Sequence, residues 1–212
     1  MAGQDKVAII GKGNVGSALK QGLTRAGYEA QNVGREPARV RDVARWGDIV
    51  VLAVPFTERE NALREMGDAV DGKPLVDVTN ALKGGDFAGS TQKSGAEELQ
   101  GLARTAKVVK AFNTAFAKTM STGQVQGERL TAFLAGDDAG AKERVARVAH
   151  DLGFDAVDAG PLRNARWLEA VGFLHIQLAY GLGMGPEMGI KLVRAGVPRP
   201  EKEAPSPPKR GA

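Results

Sequence analysis

Three groups of residues in this sequence have types and spacing suited to chemistry. The first is Gly11-Lys12-Gly13-Asn14-Val15-Gly16, a G-x-G-x-x-G run. It follows a short β-branched stretch, Lys6-Val-Ala-Ile-Ile10, and opens a stretch of helical apolar spacing, Val15, Ala18, Leu19, Leu23 and Ala26. In that context each glycine has its own task. Gly11 turns the chain sharply out of the strand, Gly13 leaves no Cβ between the backbone and a pyrophosphate, and Gly16 lets the helix lie close on the sheet. The helix N-terminus offers free N–H groups and a positive dipole end to the phosphates. The alternative is an ordinary strand-to-helix turn that happens to use glycine.

The second group is Gly34-Arg35. Dinucleotide-binding folds that take NAD place Asp or Glu at the end of the second strand, about 20 residues past the glycine motif, on the ribose 2′-hydroxyl. Here that place holds a guanidinium, which clamps a 2′-phosphate that a carboxylate would repel. Arg39 lies one helical turn later and can join it, while Glu36 works against it. A solvated loop arginine is the alternative. The expected cofactor is NADP(H).

The third group lies at the ends of the other apolar strands: Val54-Pro55-Phe56, Thr79-Asn80-Ala81 and Phe112-Asn113-Thr114. Ligands of open parallel sheets bind at this carboxyl edge. The amides of Asn80 and Asn113 can reach a nicotinamide ribose or carboxamide, or they can cap a helix or brace a turn. For Asn80 both roles stay open. Asn113, with Thr114 beside it, is placed near the nicotinamide.

No set of side chains for acid–base catalysis stands out. His150 lies late in an amphipathic helix and His175 in an apolar helical stretch, where a buried structural role is the default. Tyr28, Tyr180, Lys110 and Lys118 do not assemble with them into a proton-transfer group. Cysteine is absent, which excludes thiol catalysis and Cys-based metal sites, and two histidines do not make a His-rich one. Neither a catalytic side chain nor a metal is assigned. The reading is direct hydride transfer between two cofactors, with the protein supplying position and electrostatics.

Residues so placed need a layered scaffold. Apolar strands at 6–10, 28–33, 48–54, 74–78, 107–112, 131–135 and 155–158 alternate with helical patterns from 14, 37, 58, 95 and 139. This implies an α/β, Rossmann-type doubly wound, mostly parallel sheet. From Arg163 to about Arg194 only helical signals appear, interrupted by Gly181-Leu-Gly-Met-Gly-Pro186. The domain reading is a dinucleotide-binding unit over 1–160, a small C-terminal helical unit over 161–196, and a disordered Pro- and charge-rich tail over 197–212. Gly84, Gly85 and Gly89 lie in a loop that can cover the crevice. Gly181, Gly183, Gly185 and Gly189 suggest close backbone approach to a second planar partner. The apolar residues of 163–194 exceed what one appendage can bury, so a homodimer is expected.

Composition trims the alternatives. The 212 residues include 28 glycines, and the net charge is +4 with only 5% aromatics. Arg199, Lys202, Lys209 and Arg210 against Glu201 and Glu203 place half of that charge in the tail. Nothing interleaves basic and aromatic residues as a nucleic-acid surface does. No apolar run approaches the ~20 residues that span a bilayer, and the N-terminus lacks a signal-peptide layout. A cytoplasmic protein without nucleic-acid or membrane partners is expected.

The motifs resemble those of the NADPH-dependent deazaflavin reductases, which exchange hydride between NADP(H) and coenzyme F-420. They also resemble the NADPH-oxidising domain of the six-transmembrane metalloreductases. The segments that carry the likeness are Ile9-Ile-Gly-Lys-Gly-Asn-Val-Gly16, Gly34-Arg35, Val109-Lys-Ala-Phe-Asn-Thr114, Ala135-Gly-Asp-Asp138, Asp158-Ala-Gly-Pro-Leu-Arg-Asn-Ala-Arg166 and Gly183-Met-Gly-Pro-Glu-Met-Gly-Ile-Lys-Leu192. Gly34 departs from the family, which has Ser or a similar residue before the Arg. The resemblance implies an NADP-dependent oxidoreductase whose C-terminal helices complete the second-cofactor pocket and a homodimer interface. That second partner is coenzyme F-420, or FAD or FMN. Two other readings compete: an NADPH-dependent reductase of a small imine or carbonyl, and a non-catalytic NADP(H)-binding sensor.

Overall fold

The computed structural model describes residues 4–195. The 197–212 tail, with its basic residues, lies outside them. Strand β1 (Val7–Ile10) is buried on both faces because all four of its side chains are apolar. Val7 and Ile9 enter one core, Ala8 and Ile10 the other, as a period of two requires. Helix α1 (Asn14–Arg25) buries Gly16, Leu19, Gly22 and Leu23 on the sheet. It gives way at Gly27, whose φ of 90° is open to glycine alone.

The chain then alternates as expected: β2 (Ala30–Val33), α2 (Pro37–Trp46), β3 (Ile49–Leu52), α3 (Arg59–Met66) and β4 (Pro74–Asp77). A hairpin follows, β5 (Leu82–Lys83) and β6 (Asp86–Phe87), within the Gly-rich loop expected to cover the crevice. Gly84 and Gly85, both at positive φ, form its two-residue turn. Next come α4 (Gly95–Leu102), β7 (Lys107–Lys110), a short α5 (Ala117–Met120) and a second hairpin, β8 (Gln124–Val125) with β9 (Glu128–Arg129). The chain continues through β10 (Thr131–Gly136), α6 (Ala139–Asp151), β11 (Asp155–Asp158) and α7 (Ala165–Ile176).

The seven main strands lie in the order β11-β10-β7-β4-β3-β1-β2. Every pairing is parallel except β10 against β7. The carboxyl ends of β1, β2, β3, β4 and β7 therefore share one edge. The strand order reverses beside β1, which is where such sheets open a crevice. Among the described residues no helix is long and apolar enough to cross a membrane.

The C-terminal unit departs from the helical expectation. Helix α7 ends in a π-helical turn over Gln177–Gly181, and residues 182–195 are not helical. Gly183 and Gly185 take positive φ and Pro186 follows, so the chain cannot carry a helix through. Instead it runs beside the start of β10. Thr131 N donates to Ile190 O at 2.8 Å, and Leu192 N donates to Thr131 Oγ1 at 2.9 Å. Gly189 presses on Leu130, where a side chain would collide with the Leu130 Cγ at 2.8 Å.

Candidate functional site

The glycine motif sits between β1 and α1. Gly11 has φ of 135°, and a Cβ there would lie 2.6 Å from the Ala53 carbonyl carbon at the end of β3. A Cβ on Gly16 would fall on the Gly11 carbonyl, so the first turn of α1 can close on the loop only without one. Gly13 has nothing within 4 Å of its Cβ position. It is also the N-cap residue of α1, and no side chain caps that helix. Lys12, Gly13 and Asn14 are exposed and Val15 half-buried, so the leading N–H groups of α1 face outward. The donor set fits a pyrophosphate: an uncapped helix end, a loop without side-chain obstruction, and a positive dipole.

The end of β2 is tied to the same place, since Gly11 N donates to Val33 O at 2.8 Å. Gly34 faces the aliphatic stem of Lys12, with a Cβ position 3.4 Å from Lys12 Cδ. Arg35 is exposed and forms no ion pair or side-chain hydrogen bond among the described residues. Its neighbour Glu36 takes the other two cations, Arg39 at 3.1 Å and Lys12 at 3.5 Å. Those partners, Arg39 first, hold the Glu36 carboxyl below its ordinary range. The acid that complicates the sequence reading is thus turned toward Lys12 and Arg39.

The other strand ends converge further along the edge. Asn80 Nδ2 donates to Asn113 O at 3.0 Å, and Asn113 Nδ2 donates to Asn80 Oδ1 at 3.1 Å and to Leu168 O at 2.7 Å. The sequence places both amides at this edge, and the structure adds that they hold each other and α7. Ala81 and Thr114 are buried beside them. Val54 and Phe56 are half-buried and Pro55 exposed at the end of β3. The Arg59 guanidinium lies 3.5 Å from the Phe56 ring centroid.

Helix α7 closes over these ends. His175 Nδ1 lies 3.0 Å from the Thr114 carbonyl, which can only accept, so the proton sits on Nδ1. His175 Nε2 is buried without a partner among the described residues. Burial pushes its pKa below the ordinary 6.5, against the smaller opposite pull of the Thr114 carbonyl. In the unfolded chain the imidazole takes a proton near its ordinary pKa, whereas the folded one resists. Stability should therefore hold above about pH 6.5 and fall as pH drops below it. Denaturant midpoints measured from about pH 7.5 to 5.5 should decline, and His175→Phe should flatten that decline. An unchanged slope would refute it.

The second arrangement at this edge escapes a reading of the sequence. Lys110, Asp77 and Glu169 are fully buried together. Lys110 Nζ donates to Asp77 Oδ2 at 3.0 Å and to the Thr79 carbonyl at 2.6 Å, and lies 3.2 Å from Glu169 Oε1. Burial alone would raise the Asp77 carboxyl, but Lys110 and the Thr79 hydrogen bonds outweigh it and hold it below its usual range. Glu169 also accepts from Gly95 N at 3.0 Å and Ala96 N at 3.2 Å, the first turn of α4. A second tie is Arg166, which grips Glu97 at 2.8 and 2.6 Å and holds that carboxyl down to about 2. The loop expected to cover the crevice is the β5–β6 hairpin, with Phe87 stacked on Phe173 of α7 at 5.2 Å.

Comparisons with known proteins fit this geometry. No family model matches the chain. It is 28% identical to the F420-dependent NADP reductase of Methanocaldococcus jannaschii over 168 residues, 75% of this chain and 73% of that protein. It is 30% identical over 178 residues to Metalloreductase STEAP3 of Rattus norvegicus. That match takes in 78% of this chain and 36% of the relative, so the chain spans about a third of the metalloreductases it matches. Among solved structures, one from an Arthrobacter species, provisionally assigned as an F420-dependent NADP reductase, superposes with a TM-score of 0.82. The two are 28% identical, over 90% of this chain and all of that one.

Proposed function

We propose that the chain, which is similar to the F420-dependent NADP reductases and to the metalloreductases, is an NADP-dependent oxidoreductase that transfers hydride between NADP(H) and a second planar redox cofactor. That partner is a deazaflavin such as coenzyme F-420, or a flavin, FAD or FMN. The observation that carries the reading is the unpaired Arg35 at the end of β2, beside an uncapped helix and an unobstructed glycine loop. When bound, NADPH supplies a hydride that passes, with one proton from solvent, to the acceptor and leaves NADP+.

The residues divide the work along the edge. Gly11, Gly13, Gly16 and the N–H groups of Asn14 and Val15 take the pyrophosphate, with Lys12 beside it. Gly34 lies against the stem of Lys12, and Arg35 takes the 2′-phosphate. Val54, Pro55 and Phe56 wall the adenosine side of the crevice from β3. Asn80, Ala81, Asn113 and Thr114 frame the nicotinamide end. Of the described residues, 161–195, built on α7, cover that end and wall the acceptor, while 4–160 hold the nucleotide. The outer face of α7 and the turn after it expose Trp167, Leu174, Tyr180, Leu182 and Met184. A second copy of the chain covers that apolar face in a homodimer.

The test mixes purified protein and NADPH with coenzyme F-420, FAD and FMN in turn. Loss of acceptor absorbance is followed while light scattering reports the mass. A dimer that reduces at least one acceptor is the expected result. Tight NADPH binding with no turnover of any acceptor would overturn the oxidoreductase reading, and a monomer at micromolar concentration would overturn the dimer.

A further inference from the structure

Buried charges need a reason, because well-packed apolar side chains would stabilise the same interior equally well or better. Lys110, Asp77 and Glu169 put one ammonium and two carboxylates where no solvent reaches. The cluster joins four elements. Asp77 ends β4, Lys110 ends β7, Glu169 lies on α7, and the carboxylate of Glu169 accepts the first two N–H groups of α4. Arg59, itself 8% exposed, adds a bond from its guanidinium to Gly95 O at 2.7 Å.

The same face of α7 meets the sheet edge at four places in succession. Leu168 O accepts from Asn113, Glu169 meets Lys110, Gly172 lies against the Asn80–Asn113 pair, and His175 donates to the Thr114 carbonyl. Positions 168, 169, 172 and 175 fall on one side of a helix. Three of those contacts are neutral or steric. The charged one is the costliest to displace, because a Glu169 carboxylate moved off Lys110 loses its ammonium partner where no solvent replaces it. It is also fixed at both ends, by Asp77 and Thr79 on the strand side and by two backbone N–H groups on the helix side.

We propose that Lys110, Asp77 and Glu169 are positioning residues that lock the register of α7 on β4 and β7. They thereby hold Asn80, Asn113 and Thr114 where hydride transfer needs them. This rests on the proposed function for its chemistry but not for its geometry. The cluster touches neither the glycine loop nor Arg35, so nucleotide affinity and transfer rate should separate. Reaction rates fall steeply when reacting atoms are displaced by even about 1 Å.

The test compares the parent protein with Glu169→Gln. The lock predicts an NADPH Kd within about twofold of the parent and a single-turnover transfer rate at least about tenfold lower. It also predicts faster amide hydrogen exchange in α7, in the first turn of α4 and at residues 79–81 and 112–114. An unchanged transfer rate, or a loss of NADPH affinity in proportion to rate, would overturn the lock. If Glu169→Gln does not fold, Lys110→Arg, which keeps the buried charge but changes its reach, carries the same comparison. If the parent binds NADPH and reduces no acceptor, the functional reading fails and hydrogen exchange decides the lock. Loosened strand-end amides would then uphold it, and unchanged ones would overturn it.

Discussion

Replacing Arg35 with alanine should raise the Kd for NADPH by about 10- to 100-fold and leave that for NADH within about twofold. The size follows from charge-assisted hydrogen bonds to a phosphate, which contribute about 1.5–3 kcal/mol each. The selectivity follows from the neighbours. Lys12 and Arg39 are already drawn to Glu36, at 3.5 and 3.1 Å, whereas Arg35 has no protein partner among the described residues. Removing Arg35 therefore removes the cation not engaged by Glu36, and NADH carries no 2′-phosphate to notice. Both cofactors should still meet the glycine loop and the end of α1, which the substitution does not touch. Calorimetric titration of each nucleotide, at low and moderate salt, provides the measurement. The NADPH loss should shrink as salt rises, because the site is exposed. Equal losses for NADPH and NADH would remove the basis for preferring NADP(H).

Much of this site is local in sequence, and that is why it is legible there. Gly11, Gly13 and Gly16 act within one turn, and Arg35 announces itself because an acid is expected at that place. The parallel strands 7–10, 49–52 and 74–77 are legible because they are short, apolar and bounded by turns. What is not legible depends on partners far along the chain. Lys110, Asp77 and Glu169 each read as a single charge inside an apolar run, which looks like a surface edge of a strand or helix. Only when residues 77, 110 and 169 meet does the ammonium face the two carboxylates. The opposed charges in runs that are otherwise buried were the available signal. The end of the chain misleads for a different reason. Apolar residues such as Ile190, Leu192 and Val193 have helical spacing, but Gly183, Gly185 and Pro186 break the backbone just before them. The segment gains its order from Thr131 and Leu130 instead. Within the second group of glycines, Gly189 meets a leucine, and on α7 it is Gly172 that presses on the Asn80–Asn113 pair.

Gly172→Ala is the substitution that tests that approach. A Cβ at this position would lie 2.7 Å from Asn113 Nδ2 and 3.1 Å from Asn113 O, and closer still to Asn80 Oδ1. None of these atoms is the free end of a flexible chain. Asn113 Nδ2 is held by Leu168 O and Asn80, and Asn80 Nδ2 by Asn113 O. The added methyl must part the amide pair or lift α7 from the strand ends. Overpacking of this kind costs about 1–3 kcal/mol. Alanine returns at most about 1 kcal/mol through its better helix propensity. The net expectation is a loss of up to about 2 kcal/mol of stability. Hydride transfer should fall further, by up to about 100-fold, since Asn80 and Asn113 frame the reacting end in the proposed function. Gly101→Ala in α4 is the matched control, because nothing lies within 4 Å of its Cβ position. It should gain about 0.5–1 kcal/mol from propensity alone. Urea midpoints of the two variants should move in opposite directions from the parent. If both move upward together, α7 does not press on the amide pair, and the proposed placement of Asn80 and Asn113 at the reacting end is not set by this contact.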